Sequence, residues 1–380
     1  MLRSACATIR DMASQRFHAI GLMSGTSMDG VDAAFLETDG EAHVVAGPHL
    51  GMPYPEPLRS VLLGLPGKGR DVAGPERELT DLQIEAVRRL CADHGIDPRV
   101  DVVGFHGQTI LHDPAKRRSW QLGDGQRMAD ALGLPVVNGF RQNDLDHGGQ
   151  GAPFAPVYHQ ALVRAGSIPE PVAILNIGGV SNLTLVDGEL LFACDCGPGN
   201  ALIDDWVRAH CGVPYDEGGR IAASGRIDHR ALERLLNSPH FSRHGPKSLD
   251  RNAFSVEPVR GLSPQDGTAT LTAFTAAAVA AEARRFPRQP REWIVVGGGR
   301  LNGYLLSALR QRLRAPVRPA EELGWAGQAI EAQAFAYLAV RSLLQLPLSF
   351  PGTTGVREPV SGGVCWRPLT PPGAGTSAGH

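Results

Sequence analysis

Three apolar runs in this chain end on clusters of glycine and small polar residues, and that recurrence limits the fold more than any other feature. The first lies in Gly21-Leu-Met-Ser-Gly-Thr-Ser-Met-Asp-Gly-Val-Asp-Ala-Ala34. Strand-like Phe17–Leu22 enters it and Val31–Leu36 leaves it, so Gly25, Thr26, Ser27 and Gly30 fall at the tip of a hairpin. Glycine there permits positive φ and lets a ligand approach the backbone closely, so the turn reads as a phosphate cradle. Ile174–Leu183, with Gly178 and Gly179, and Trp293–Asn302, with Gly298 and Gly299, have the same character.

Around these turns strand and helix patterns alternate, the signature of an α/β protein. Strands are expected at Phe17–Leu22, Val31–Leu36 and His43–Leu50, then a helix around Pro75–His94 with Leu79, Leu82, Ala86, Val87 and Leu90 at helical spacing. A buried strand at Asp101–Phe105, a short helix at Asp124–Leu132 and a strand at Pro135–Asn138 complete one lobe. The loop Asn143–Ala155, with Asp144, Asp146, His147 and three glycines, suits a linker or a site. The pattern then restarts at Val172–Ile177, Ser181–Val186 and Leu190–Ala193, followed by helices at Ala201–His210, Ser263–Phe286, Leu301–Leu313 and Ala326–Leu343. The second glycine hairpin echoes the first, which implies an internal duplication. The expected organisation is a disordered leader 1–16, lobe I over 17–143 completed by 345–367, lobe II over 144–344, and a disordered tail 368–380.

With 380 residues, 42% hydrophobic and 20% charged, the chain can form two cores. A net charge of −2 gives no sign of a polyanion-binding surface, so no nucleic-acid partner is expected. No apolar run reaches 18 residues and Met1–Arg16 lacks the apolar centre of a signal peptide, so a cytoplasmic protein without membrane contact is expected. The six cysteines stand at irregular positions, and Cys194 and Cys196 are too close for a zinc knuckle, so reduced thiols and no structural metal are expected.

Nucleotide binding is narrowed by elimination. None of the three lysines, Lys68, Lys116 and Lys247, follows the glycine pattern of a P-loop, and no dinucleotide-binding G-x-G-x-x-G follows the first strand. What remains is a cleft that holds phosphates with hairpin backbone N–H groups and a metal ion. The Thr26 and Ser27 hydroxyls would join those amides, and Asp29 or Asp32 would face Mg²⁺ directly or through water.

Asp195 in Phe192-Ala-Cys-Asp-Cys-Gly-Pro-Gly-Asn200 is the best candidate for chemistry: a carboxylate at the end of an apolar strand, where partial burial would suit a general base. Asn200 is the better-placed cap for the helix that follows. In Gly104-Phe-His-Gly-Gln-Thr109, His106 and Gln108 are placed to contact a sugar hydroxyl or carboxylate. Glu331 opens a helix that is apolar on one face, as a site residue or a surface ion-pair partner.

Taken together, the first hairpin, Gly104–Thr109, Asn176-Ile-Gly-Gly-Val-Ser-Asn182, Asp195-Cys-Gly-Pro-Gly-Asn200 and Glu331-Ala-x-Ala-Phe-Ala336 closely resemble the anhydro-N-acetylmuramic acid kinase family, in the same order from Phe17 to Gly355. The resemblance implies the actin/hexokinase/Hsp70 superfamily fold: two duplicated, ribonuclease H-like α/β lobes around a central ATP cleft. It implies a reaction in which water opens the 1,6-anhydro bridge of anhydro-N-acetylmuramic acid while O6 takes the γ-phosphoryl group, in peptidoglycan recycling in the bacterial cytoplasm, by a homodimer using ATP and Mg²⁺. Asp195 matches the catalytic base and Gly25, Thr26, Ser27, Met28, Asp29, Gly30, Val31 and Asp32 the ATP phosphate loop. Gly178, Gly179, Gly298 and Gly299 are the further nucleotide-contacting candidates, with His106, Gln108, Asn176 and Glu331 on the substrate. Where the family usually has Thr after the base, this chain has Cys196, a weaker hydrogen-bond donor. Two other readings use the same residues: a noncatalytic sugar or peptidoglycan-fragment sensor, and a plain ATP-dependent sugar kinase with no hydrolytic step.

Overall fold

The fold is that of a computed structural model, described over residues 15–25, 28–65, 72–96, 99–242, 249 and 254–369. The leader and tail readings fall almost wholly outside these residues. The chain forms two compact units: the first takes the residues up to Ala165, Glu331–Phe350 and those from Val356 on, the second Gly166–Ile330 and Pro351–Gly355.

In the first unit β1 (Phe17–Met23), β2 (Gly30–Thr38) and β3 (Val44–Pro53) form an antiparallel meander. β4 (Val102–Phe105) pairs parallel to β1, and a side hairpin, β5 (Gln108–Asp113) with β6 (Arg118–Leu122), follows it. β7 (Val136–Asn138) lies parallel to β4.

The second unit repeats the pattern. β8 (Val172–Ile177), β9 (Val180–Asp187) and β10 (Leu190–Pro198) form the meander, and β11 (Glu292–Val296) and β12 (Val317–Pro319) add parallel strands beside β8. The orders β3-β2-β1-β4-β7 and β10-β9-β8-β11-β12 correspond strand for strand. The duplicated ribonuclease H-like α/β lobes expected from the sequence are therefore present. The first unit adds one outer strand, β13 (Val364–Trp366), antiparallel to β7.

Each sheet is covered by helices whose apolar stripes its sequence supplies. Helix Ala73–His94 buries Leu79, Ile84, Val87 and Leu90 in one cluster with Ile20 and Leu22 of β1 and Val103 and Phe105 of β4. Each such aliphatic side chain contributes about 1.5–3 kcal/mol by leaving water. Helix Pro264–Ala283 is apolar nearly all round and correspondingly buried; Ser263 caps it by accepting the Asp266 N–H. It shares a cluster with β8, β10 and β11 through Ala276, Val279 and Ala280.

Helix Ile330–Leu343 lies unusually close to the first sheet. Gly21 and Gly104 are register partners on β1 and β4, and a methyl group on either would lie 1.8 Å from Ala332 O or 2.0 Å from Phe335 O. Only glycine at both positions lets the helix backbone settle there.

The units divide after Ala165 and before Glu331, where the reading from composition put the boundaries at 143/144 and 344/345. The stretch Asn143–Ala155 is a folded corner: Asp144 Oδ1 accepts the Gly151 N–H at 2.6 Å, Arg141 Nη1 donates to Gly151 O at 2.8 Å, and Asn143 Nδ2 donates to Ser361 O at 2.7 Å. Its polar residues hold a corner, which the composition of a linker resembles.

Candidate functional site

In the first unit the glycine hairpin between β1 and β2 is held from below. Met28 takes φ +52° and its N–H donates to Gly25 O at 3.2 Å, closing the turn. The Tyr54 N–H, at the end of β3, donates to Asp29 O at 2.9 Å. Thr26 and Ser27 lie outside the described residues. Met28 and Val31 bury their side chains in the core, so only their backbone faces the turn. A methyl group on Gly30 would meet Met52 O at 2.5 Å, so that position is fixed by strand packing.

Asp32 pairs in register with Met23 on one side and Gly51 on the other, and the missing side chain of Gly51 gives its carboxylate room. Although Asp32 keeps an exposed face, crowding by protein atoms and then the Asp29 carboxylate push its carboxyl up to about 6. A carboxylate held up in this way beside a second acidic side chain gains from a nearby cation. Among the described residues no three His, Cys, Asp or Glu groups come together as a metal cluster. Mg²⁺ nonetheless fits Asp29 and Asp32, because it keeps most of its water and takes one or two carboxylates beside substrate phosphates.

His106 and Gln108 follow β4. Arg141 Nη2 donates to His106 Nε2 at 2.8 Å, which puts the ring proton on Nδ1, and burial followed by the Arg141 charge lowers the imidazole to about 3. Gln108 is fully buried and its amide is used within the protein: Oε1 accepts from Ser24 Oγ at 2.6 Å and Nε2 donates to Gly25 O at 3.0 Å. In this structure it holds the turn. Glu331 is exposed in the first turn of helix Ile330–Leu343.

In the second unit three motifs converge. The β8–β9 turn at Gly178 and Gly179 is bonded to the end of β10: Asn200 N donates to Gly178 O at 2.7 Å, Gly199 N to Gly179 O at 3.0 Å, and Asn200 Nδ2 to Ile177 O at 3.2 Å. Asn200 precedes helix Ala201–Cys211 but makes no side-chain capping bond, so its expected role as a cap is replaced by this tie to the turn. The third glycine cluster packs on the same place. A methyl group on Gly297, at φ +72°, would meet Asn176 Oδ1 at 2.2 Å, and one on Gly299 would meet the Ile177 side chain at 2.5 Å. Gly298 is exposed, and Gly178 and Gly179 are half-buried. Buried Arg300 clamps this cluster, donating to Glu321 Oε1 at 2.6 Å and to Gly297 O at 2.8 Å.

Asp195 sits half-buried on β10 where the pairing with β9 shifts register between Asp195 and Gly197. Such a bulge re-aims a side chain. Its Oδ2 accepts the Leu249 N–H at 2.7 Å, so the carboxylate is tied to a backbone amide some fifty residues further along the chain. Cys196 points away from this position: its buried Sγ donates to Ser181 O at 3.2 Å. The Thr-to-Cys departure therefore falls on the core side of the strand, where successive side chains alternate.

Sequence reasoning missed Tyr54, Gln83, Arg141 and the Arg300–Glu321 pair. A tyrosine between two prolines at a strand end, Met52-Pro-Tyr-Pro55, was the available signal for the first.

A family model described as anhydro-N-acetylmuramic acid kinase matches residues 17–368. A relative of that name from Paramagnetospirillum magneticum is 52% identical over 351 residues, covering 91% of this chain and 98% of its own. Another from Rhodospirillum rubrum is 51% identical over 368 residues, covering 95% and 97%. Among solved structures, a ROK family glucokinase from Streptomyces griseus in complex with glucose and AMPPNP covers 85% of this chain and 99% of its own at a TM-score of 0.40 and 17% identity. With a family match from the first strand to beyond the last, and relatives identical at half their positions, the chain belongs to the anhydro-N-acetylmuramic acid kinase family.

Proposed function

We propose that this protein is an ATP-dependent kinase that hydrolytically opens 1,6-anhydro-N-acetylmuramic acid and phosphorylates O6, giving N-acetylmuramic acid 6-phosphate and ADP. Family membership over nearly the whole chain supports this reading, and the placement of Asp195 carries its chemistry. Asp195 takes a proton from water as the water oxygen bonds to C1. The C1–O6 bond breaks, its electron pair stays on O6, and O6 bonds to the γ-phosphorus as the bond to ADP breaks. A glycosidase needs a second carboxyl group to protonate its leaving oxygen; here phosphoryl transfer takes up that charge.

The backbone of Gly25–Asp32 holds the β- and γ-phosphates in this reading, and Gly178, Gly179 and Gly298 leave backbone open to the nucleotide, while Gly299, expected beside them, is buried against Ile177 and supports the turn from within. His106, Asn176 and Glu331 contact the sugar, while Gln108 positions the turn. Mg²⁺ held through Asp29 or Asp32 supplies charge neutralisation on the phosphates. No helix among the described residues is long and apolar enough to cross a membrane. A homodimer in the bacterial cytoplasm, serving peptidoglycan recycling, completes the proposal, as the family resemblance implies.

The test is ATP turnover with Mg²⁺ and the anhydro sugar, with N-acetylmuramic acid and N-acetylglucosamine in parallel, in ¹⁸O-labelled water. ADP formed only with the anhydro sugar, with label at C1, is the expected result. ADP formed with the open sugars would mean an ordinary sugar kinase, and ligand binding without turnover a sensor.

A further inference from the structure

Beneath the first glycine hairpin lies a chain of buried polar side chains, of which only Gln108 has been given a part above. Gln83 and Gln108 are 0% exposed, Ser24 2% and Tyr54 5%. Their hydrogen bonds run in one direction. Gln83 Nε2 donates to the Tyr54 hydroxyl at 2.7 Å, that hydroxyl donates to Ser24 Oγ at 2.9 Å, Ser24 donates to Gln108 Oε1 at 2.6 Å, and Gln108 Nε2 donates to Gly25 O at 3.0 Å. Ser24 Oγ also lies 3.0 Å from Gly30 O, on the far side of the turn.

Four polar side chains in an apolar core are costly unless each is paired, and a chain of aligned donors strengthens every link. This one starts on helix Ala73–His94 and ends on the first residue of the turn. Tyr54 meets the turn twice: its hydroxyl leads through Ser24 and Gln108 to Gly25, and its own N–H holds Asp29 O. Both flanks of Gly25–Asp29 thus depend on one side chain and its backbone. Burial holds the phenol protonated far above the range of an ordinary tyrosine, so it stays a donor at any working pH.

We propose that Tyr54 is a positioning residue for the phosphate-binding turn, with Gln83 behind it fixing the phenol's direction. This rests on reading Gly25–Asp32 as the turn that holds the nucleotide phosphates. Tyr54→Phe keeps the ring in the core and removes the middle link, leaving the Gln83 amide N–H without its acceptor. Gln83→Met removes the first link at similar volume.

The experiment compares wild type, Tyr54→Phe and Gln83→Met by calorimetric MgADP binding, by steady-state KM for MgATP and for the anhydro sugar, and by thermal unfolding. Tyr54→Phe is expected to weaken MgADP and raise the MgATP KM about tenfold, with the sugar KM within about twofold of wild type. Gln83→Met is expected to do the same about threefold. Folded variants with unchanged nucleotide affinity would overturn the proposal, as would equal losses for nucleotide and sugar, which indicate general loosening. If Tyr54→Phe does not fold, Gln83→Met decides alone by the same criteria. Wild type that binds no nucleotide would refute the phosphate-turn reading itself. Wild type that binds MgADP but leaves the anhydro sugar intact would refute the reaction while the positioning test stands.

Discussion

Arg141 donates a guanidinium N–H to His106 Nε2 at 2.8 Å, and in doing so keeps a buried imidazole both neutral and of fixed tautomer. Burial opposes protonation of the ring, and the cation beside it opposes it further, so His106 falls to about 3. His159, by burial, also falls to about 3, and His112, by burial and then the Arg141 charge, to about 4.

These three depressed histidines set an acid limit on stability. Unfolded, each takes up a proton near pH 6.5; folded, each resists it until about pH 3 or 4. The unfolded state therefore binds more protons below pH 6.5, and stability falls as pH drops through that window, by up to about 1.4 kcal/mol per pH unit per histidine. Denaturant unfolding at pH 7.5, 6 and 5 checks this, with His106→Gln expected to show a shallower slope.

Asp195→Asn is expected to lower kcat by about 10²–10⁴-fold with MgADP affinity within about twofold of wild type. ADP release in a coupled assay and calorimetry give the two numbers. A variant that keeps a tenth of the wild-type rate would remove Asp195 from the role of base.

Asp32 behaves in the opposite sense to the histidines. Its folded carboxyl at about 6 lies above the unfolded value, so ionising it at neutral pH costs stability, and that cost is relieved as pH falls through 6. Asp32→Asn should therefore unfold at an equal or higher temperature at pH 7.5 while requiring more Mg²⁺ for half-maximal turnover. Scanning calorimetry and a Mg²⁺ titration of the rate test both parts.

Gly104→Ala should destabilise by about 3 kcal/mol, because its methyl group meets the backbone Phe335 O and can be accommodated only by moving a helix. Gly74→Ala is the control: nothing lies within 4 Å of its added methyl, and in helix Ala73–His94 it should stabilise by about 0.5–1 kcal/mol. Urea midpoints separate the two.

The strands that carry the site were legible because each is an apolar run broken by glycine: β1, β2, β4 and β8 lie within one or two residues of their expected bounds. The side hairpin Gln108–Leu122 was not, since its Gln, His, Lys, Arg and Ser residues give no clear two-residue alternation. Helix Ala155–Ala165 was hidden by the glycine-rich corner before it. Gln108 read as a ligand contact because an amide between glycines looks exposed in sequence; only the fold shows it enclosed under Ser24 and Gly25. Tyr54 and Gln83 are 29 residues apart, and nothing local announces that they meet.

Helix Ile330–Leu343, seated on Gly21 and Gly104, has a consequence for how the chain is made. It and β13 belong to the first unit but follow nearly all of the second along the chain. A ribosome therefore delivers β1 and β4 long before the element that covers their glycine face, and the second unit's sheet is complete first. Nascent chains stopped near residue 330 should hold a protease-resistant second unit while the first remains cleavable, so the N-terminal half of this protein is the last to mature.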